Sequence, residues 1–322
     1  MVLALIGCSK GGDAVSAVVI HPTNDQIIYV GTSQHIYKSR DGGATWALAD
    51  EGIAGTRIMS LAVDPRSPAQ VYAGTFGVAV WKSWDGGQHW VPDNLGLKEH
   101  ISIVNSLIFD PVLPATMYLG ATVGVYKRDD PGAAWEERVA GMESVYIVPL
   151  VADPTRPGTL YAGTSGGVYK SIDRAEHWMP INQGLSIEAV GGAMSHGVTA
   201  IAIDPANHDI LYIGTTRGFF ASADAGGRWV QNRMIPSGSV AALAVNPVKS
   251  SILYAGGADI GVVKSTDGGA TWTVVNTGLT NHAIRALALD PRQPDTLYAG
   301  TNGGLFRTID GGEHWTQMKL GG

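Results

Sequence analysis

Short apolar runs separated by tight polar turns follow one another along the chain, and the same order of runs returns seven times. Each repeat opens with an apolar run such as residues 60–63, where side chains of alternating size predict a strand packed on both faces. Asp-Pro follows the run and ends the strand, because proline has no N–H to donate to a ladder. These pairs and their variants lie at 21–22, 64–65, 110–111, 153–154, 204–205, 246–247 and 290–291.

The remainder of each repeat predicts three more strands. The second run carries an apolar residue, then tyrosine, with glycine two positions later, as in residues 160–164. A glycine-containing hairpin leads to a third run, such as residues 167–171, and a Ser-X-Asp-X-Gly-X-X-Trp turn leads to a fourth strand that we expect to begin at the tryptophan. The tryptophans stand 43 to 51 residues apart, at Trp46, Trp90, Trp135, Trp178, Trp229, Trp272 and Trp315.

The size of one repeat determines how the repeats associate. A four-stranded meander of about 43 residues cannot bury both faces of its own sheet, so neighbouring copies must stack. Seven such sheets around an axis form a β-propeller. The prediction is therefore an all-β, seven-bladed β-propeller over residues 15–322, with four antiparallel strands per blade and the Asp-containing turn between strands 3 and 4. Because the chain begins at a first strand and ends at a fourth, we expect no strand exchange between the termini.

Composition agrees with this architecture and excludes several partners. The 43 glycines, 16 prolines and 16% charged residues are typical of many short strands and tight turns. A net charge of −6 without a basic stripe argues against a nucleic-acid partner. No apolar run approaches the roughly 18 residues needed to cross a bilayer. We therefore expect a membrane contact only through a lipid anchor.

The residues of the polar turn have structural reasons to be there. An aspartate two residues into the turn accepts hydrogen bonds from the following N–H groups, and glycine permits positive φ. The tryptophan covers the hairpin and its N–H finds a backbone carbonyl. The third copy lacks the serine and the fourth lacks both glycines. His89, His177 and His314 precede tryptophans in separate repeats and cannot converge on one metal, so we expect neither a metal nor a cofactor.

These repeats resemble the Asp-box, or bacterial neuraminidase, repeats of sialidases, xyloglucan-degrading glycosidases, the sortilin receptor domain and the photosystem II assembly factor. The resemblance covers nearly the whole chain and implies the propeller architecture. It does not imply an activity, since the motif forms a turn and its carriers have unrelated functions. In the Asp-box glycosidases the active site lies at the end of the ring away from the boxes.

Cys8 is the single cysteine, which excludes an internal disulfide, a thiolate zinc site and a haem attachment. Residues 5–8 resemble a bacterial lipobox, and a glycine-rich stretch follows. Residues 1–14 are therefore interpreted as a truncated lipoprotein-type signal and tether, with Cys8 lipidated and the propeller in the periplasm or at the cell surface. Residues 1–7 lack a positive region and a full apolar core, so a chance match remains the alternative.

The resemblance and the loop lengths predict ligand binding at the end of the ring that carries the second-to-third hairpins and the inter-blade connections. The longest connection, residues 180–198, is glycine-rich and is predicted to act as a flap or to be a tolerated insertion. Arg217, Asp259 and Arg285 are expected along one side of the mouth. The candidate ligand-binding residues, each with an ordinary solvated loop role as the alternative, are Arg57, Asn105, Tyr146, His196, Arg217, Asp259, His282 and Arg285.

No catalytic set is evident in the sequence. The early Arg-Ile-Pro of sialidases is missing, and the acids available at the loops, Glu99, Glu143, Glu188 and Asp259, single out no pair of the two-carboxylate type. The leading hypothesis is a non-catalytic extracytoplasmic propeller that binds a protein or a membrane-protein complex. The alternative is a carbohydrate-binding or glycoside hydrolase-like propeller. A third hypothesis is an assembly subunit whose propeller rings stack on one another.

Overall fold

The computed structural model describes residues 13–99, 101–185, 197–232, 234–235 and 238–321, and all the regular secondary structure in these ranges is β. The first strands of the blades are β1 (Val15–Ile20), β5 (Ile58–Val63), β9 (Val104–Phe109), β13 (Ile147–Ala152), β17 (Val198–Ile203), β21 (Ala242–Val245) and β25 (Ile284–Leu289). The second strands are β2 (Ile28–Thr32), β6 (Val71–Thr75), β10 (Met117–Ala121), β14 (Leu160–Thr164), β18 (Leu211–Thr215), β22 (Leu253–Gly257) and β26 (Leu297–Thr301).

The outer half of each blade is formed by shorter strands. The third strands are β3 (Ile36–Ser39), β7 (Val80–Ser83), β11 (Gly124–Arg128), β15 (Gly167–Ser171), β19 (Gly218–Ser222), β23 (Gly261–Ser265) and β27 (Gly304–Thr308). The fourth strands are β4 (Ala47–Leu48), β8 (Val91–Pro92), β12 (Glu136–Glu137), β16 (Met179–Pro180), β20 (Val230–Asn232), β24 (Thr273–Val274) and β28 (Thr316–Met318). Each begins one residue after the tryptophan, not at the tryptophan as expected; in five blades the backbone N–H of the tryptophan donates to the preceding blade instead, as from Trp178 to Ala140 O at 2.8 Å.

Seven four-stranded antiparallel sheets are present, each built from four consecutive strands. The predicted all-β, seven-bladed propeller is therefore confirmed, with no strand exchanged between the termini. The ring closes between the last blade and the first. There Tyr298 Oη donates to Gly42 O at 2.8 Å, and the guanidinium group of Arg292 donates to Thr23 O at 2.8 Å. No helix in the described part of the chain is long and apolar enough to cross a membrane.

The second strands are the buried centre of each blade. All five residues of β14, for example, are buried, and the same holds for the other six second strands. Their apolar side chains meet the first strand and the tryptophan of the adjacent blade in continuous clusters. Most of the core therefore lies between blades, as expected for sheets that cannot bury both of their faces by themselves.

The Asp box locks its turn through its own side chains. In the first box Ser39 Oγ donates to Asp41 Oδ1 at 2.8 Å and accepts from the Gly43 N–H at 2.8 Å. Asp41 Oδ1 also accepts from the Thr45 N–H at 2.9 Å. The box is thus a closed hydrogen-bonded turn that joins the third strand to the fourth.

Five box tryptophans connect their blade to the preceding one. Trp178 donates its indole N–H to Arg138 O at 3.0 Å and its backbone N–H to Ala140 O at 2.8 Å. Gly141, which follows Ala140 in the chain, has φ of 88°, and a Cβ there would collide with the Trp178 carbonyl. The glycines that occupy this place, each followed by a large apolar residue, are Gly52, Gly96, Gly141, Gly184 and Gly278. This inter-blade contact was not foreseen from the sequence.

Candidate ligand-binding face

The two ends of the ring differ in the turns that they carry. At one end, which we call the box end, Asp-box turns contact the turns between first and second strands, as where the Gly86 N–H donates to Ala69 O at 2.8 Å. At the other, the loop end, second-to-third hairpins contact inter-blade connections. There the Phe76 N–H donates to Arg57 O at 2.9 Å and the Asn302 N–H donates to Ala283 O at 3.2 Å.

A β-bulge interrupts the pairing of first and second strands in six of the seven blades. In blade 7, Ile284 pairs with Thr301 and Ala286 pairs with Gly300, so Arg285 is left unpaired between them. A bulge puts two residues opposite one and re-aims a side chain. The residues at this position, with Ala241 at the equivalent place in blade 6, are Ser16, Met59, Asn105, Val148, Thr199, Ala241 and Arg285.

These seven bulge-position residues, one from each blade, line a central cavity of about 400 Å³. The cavity lies toward the loop end, because the bulges follow directly on the start of the first strands. Its polar groups are hydroxyls, an amide and one guanidinium. No carboxylate is among its described lining residues.

Some polar groups of the cavity hold neighbouring blades together, and one has no partner. Asn105 Nδ2 donates to Ile147 O at 2.7 Å, and Thr199 Oγ1 donates to Val240 O at 2.5 Å, each across a blade boundary. Ser16 Oγ is buried and has no hydrogen-bond partner in the described part of the chain. A buried hydroxyl without a partner is costly, so this group favours a polar occupant in the cavity.

Two arginines make the mouth of the cavity positive. Arg285 Nε donates to Asn302 Oδ1, and Arg57 stands 5.8 Å from the centroid of the Phe76 ring. Burial lowers the pKa of Arg285, and the nearby Arg57 charge lowers it further. Neither guanidinium is paired with a carboxylate among residues 13–321 as far as they are described. The uncompensated charge favours an electron-rich ligand at the mouth.

The structure separates the predicted site residues into groups. Asn105 and Arg285 line the cavity. Arg57 and Tyr146 lie one residue before β5 and β13, at the rim, with Tyr146 45% exposed. His282 lies two residues before β25 and is exposed.

Arg217 and Asp259 do not line the cavity with Arg285, and their predicted place along one side of the mouth stays a prediction. They are exposed in the β18–β19 and β22–β23 hairpins and do not belong to the cavity lining. The hairpins lie further along the blade from the axis than the bulges. His196 and Cys8 lie outside the described residues, as does most of the 180–198 connection, so their predicted roles stay predictions.

Sequence reasoning missed Ser16, Met59 and Thr199. The sequence does carry a pattern that indicates these positions. In each case two residues, not one, separate two consecutive large apolar residues, as in Val198-Thr-Ala-Ile201. A two-residue gap breaks the alternation of a regular strand and indicates a bulge.

The acids that a glycosidase would need are not brought together in the cavity. Glu99, Glu143 and Asp259 are exposed, each in a different connection or hairpin, and Glu188 lies outside the described residues. A two-carboxylate mechanism requires acids roughly 5 to 9.5 Å apart across the scissile bond.

Comparison with known structures identifies the architecture. A GH74 xyloglucanase from Xanthomonas campestris superimposes with a TM-score of 0.75 and 20% identity over 97% of this chain and 55% of the enzyme. YCF48 bound to D1 peptide superimposes with a TM-score of 0.70 and 17% identity over 93% of this chain and 94% of that protein. The chain is a seven-bladed β-propeller. At these identities the likeness to solved structures concerns the fold of the propeller alone.

Sequence comparison adds a partial likeness to enzymes. The propeller is 31% identical to a probable oligoxyloglucan-reducing end-specific xyloglucanase from Neosartorya fischeri over 162 residues, or 44% of this chain. It is also 31% identical, over 163 residues, to an oligoxyloglucan-reducing end-specific xyloglucanase from Emericella nidulans. The chain spans about a fifth of the length of these curated relatives. No protein-family model matches the chain.

Proposed function

We propose that the protein is an extracytoplasmic binding propeller whose loop end holds a carbohydrate chain over the central cavity. The observation that carries this proposal is the ring of seven bulge-position residues, which offers hydroxyl, amide and guanidinium groups, including the unpartnered Ser16 hydroxyl. The partial likeness to xyloglucanases supports carbohydrate over protein as the ligand class.

The rim adds a second feature suited to sugars. Tyr146 is 45% exposed and Phe76 is 49% exposed, both at the loop end. An aromatic face packs against the apolar C–H face of a pyranose, while small polar groups fix the orientation of its hydroxyls. A ligand lying across the mouth would meet both kinds of group.

The proposal is binding without hydrolysis by this chain. The described lining of the cavity has no acid to protonate a leaving group and none to activate water or attack the anomeric carbon. The exposed acids at the loop end are spread over separate connections. A neutral sugar therefore meets hydrogen-bonding groups in the cavity but no acid–base pair.

A protein partner is the second candidate, and one observation favours it. The YCF48 structure holds a D1 peptide, and this chain covers 94% of that protein, a fuller correspondence than with the enzymes. The two unpaired guanidinium groups of Arg57 and Arg285 would suit a carboxylate of a peptide. The extracytoplasmic location is supported by a structural neighbour that is an extracellular domain from B. thetaiotaomicron, and lipidation of Cys8 stays a prediction.

Isothermal titration of the purified propeller against xyloglucan, mannan and galacturonan oligosaccharides tests the proposal, with reducing ends measured in parallel. We expect saturable binding of at least one oligosaccharide and no release of reducing ends. The Tyr146→Ala variant should bind about tenfold more weakly. Trp84→Ala is the matched control, since Trp84 is 55% exposed at the box end.

Two results would contradict the proposal. If no oligosaccharide binds while acidic peptides do, the protein-binding candidate replaces it. If reducing ends accumulate with the pure protein, the chain is a hydrolase and its acids must be sought outside the described lining.

A further inference from the structure

A cationic side chain occupies the same place on the third strand in six of the seven blades. It is the residue before the last of each third strand, and in five of these six blades it lies over the tyrosine of the second strand. Lys38 Nζ is 4.9 Å from the centroid of the Tyr29 ring, and Lys264 Nζ is 5.6 Å from that of Tyr254. The six residues are Lys38, Lys82, Lys127, Lys170, Lys264 and Arg307.

Three of these lysines also reach into the next blade. Lys38 Nζ donates to Gly86 O at 2.7 Å, Lys170 Nζ to Ala225 O at 3.2 Å, and Lys264 Nζ to Gly311 O at 2.9 Å. The three acceptors are equivalent, because each follows the box aspartate directly. The ammonium group therefore occupies a recurrent site between a tyrosine face and a box carbonyl.

Blade 5 has Ala221 at this position, and a cavity of about 480 Å³ lies where the lysine side chain would be. The cavity is lined by Ala221, by Tyr212 on the second strand and by Gly268 of the next box. Tyr212 corresponds to Tyr29 and Tyr254, and Gly268 corresponds to Gly86 and Gly311. The groups that receive an ammonium elsewhere are thus retained around a space that none of the described residues fills.

A buried carboxylate without a counter-charge lines the same cavity. Asp204 is only 4% exposed, and its Oδ1 accepts the N–H groups of Ala206 and Asn207 at 2.8 and 3.1 Å. No lysine, arginine or histidine of the described residues forms an ion pair with it. Of the equivalent aspartates, Asp64 pairs with Arg66 at 3.1 Å, and Asp153 pairs with His208 at 2.6 Å. Asp110 and Asp290 resemble Asp204 in forming no ion pair with a described residue.

We propose that the cavity between blades 5 and 6 binds the ammonium group of an alkylamine in the place of the missing lysine. The ammonium would lie over the Tyr212 face, within reach of Gly268 O, and would compensate the charge of Asp204. The alkyl stem would run past Ala221 along the path that a lysine stem takes in the other blades. The shared chemistry is a primary alkylammonium, carried either by a free amine or by a lysine side chain.

The test uses n-butylamine, which reproduces a lysine side chain from its Cβ to its Nζ. Protein-observed NMR should show saturable 1:1 binding with a dissociation constant on the order of millimolar, as expected for a ligand of five non-hydrogen atoms. n-Butanol, the neutral isostere, should bind at least tenfold more weakly. The Ala221→Lys variant should fold, melt at a higher temperature and lose butylamine binding, because its own side chain fills the site.

The Lys264→Ala variant provides the reciprocal experiment. It should open an equivalent space between blades 6 and 7 and raise the stoichiometry from one amine to two. Cadaverine and Nα-acetyl-lysine amide distinguish a free amine from a lysine side chain as the natural ligand. Only a site open enough for the side chain of a partner protein accepts Nα-acetyl-lysine amide. Equal binding of butylamine by the wild type and Ala221→Lys, or equal binding of butanol and butylamine, would overturn the proposal.

Discussion

Gly300 in the last blade lies directly against Val15 in the first. A Cβ built on Gly300 would stand 2.7 Å from Val15 Cγ1 and 2.9 Å from Val15 O, closer than side chains tolerate. The same relation joins the second strand of each blade to the first strand of the next, as between Gly120 and Ile147. The seam between the termini is therefore packed like every other blade boundary.

The Gly300→Ala variant should lose about 1–3 kcal/mol of unfolding free energy, because the added methyl group has backbone on one side and a buried valine on the other. Urea denaturation measures the loss. Gly132→Ala is the control, since its Cβ would meet nothing closer than Asp130 Oδ1 at 3.7 Å. A similar loss in both variants would mean that the seam is not tightly packed.

The fourth box holds two non-glycine residues in left-handed backbone, Arg174 with φ of 63° and Ala175 with φ of 66°. Such a conformation costs a residue with a Cβ roughly 1–2 kcal/mol. Arg174→Gly should therefore stabilise the protein by about 1 kcal/mol, which chemical denaturation can resolve.

Gly268 is the equivalent residue of the sixth box, with φ of 73° and no heavy atom within 4 Å of a built Cβ. Gly268→Ala should lose about 1 kcal/mol from backbone strain alone. If the two substitutions change stability in the same direction, strain at this position is not the cause.

The architecture could be predicted because its signals are local and repeated. The first strand of each repeat ends at an Asp-Pro pair or a variant of it, and the seven tryptophans from Trp46 to Trp315 give the length of the repeat. An irregular repeat can therefore be assigned by comparison with the other six. The irregular fourth box could be seen in the sequence, but the positive φ of Ala175 could not. The backbone there is imposed by Ser171 Oγ, which accepts the Ala175 N–H at 2.9 Å.

The candidate site was predicted only in part, for a physical reason. Asn105 and Arg285 were predicted because they are polar residues placed at the loop end, near the connections between blades. Ser16 and Thr199 face the same cavity but look like ordinary strand residues until the bulge turns them inward. Ala221 carries no chemical signal at all, and its significance arises only from the lysines at the same place in neighbouring blades.

The contacts of the box tryptophans predict unequal effects of substitution. Trp178 is 4% exposed and its indole donates to the preceding blade, whereas Trp272 is half-buried and donates to Gly269 O in its own box at 3.0 Å. Trp178→Ala should cost about 3–5 kcal/mol of unfolding free energy. Trp272→Ala should cost clearly less, and equal losses of the two variants in urea denaturation would refute the role of the inter-blade contact.

The Asp boxes make the stability of the ring depend on pH in the acid range. The hydroxyl of Thr45 lowers the pKa of Asp41 to about 2, and that of Thr271 lowers the pKa of Asp267 to about 2. Since these folded-state pKa values lie below the unfolded value of about 3.9, the stabilisation is complete above that pH. It is lost as pH falls through the folded values near 2.

The Asp41→Asn, Asp267→Asn double variant should therefore melt below the wild type at pH 6, and the gap should close as pH falls from about 4 to 2. Circular dichroism melts across this range measure the gap. Asp259→Asn, an exposed hairpin substitution, should give a curve parallel to the wild type. A gap in melting temperature that stays constant down to pH 2 would show that the box carboxylates do not act through their charge, leaving the turn to be held by backbone hydrogen bonds such as that from Gly43 N to Ser39 Oγ.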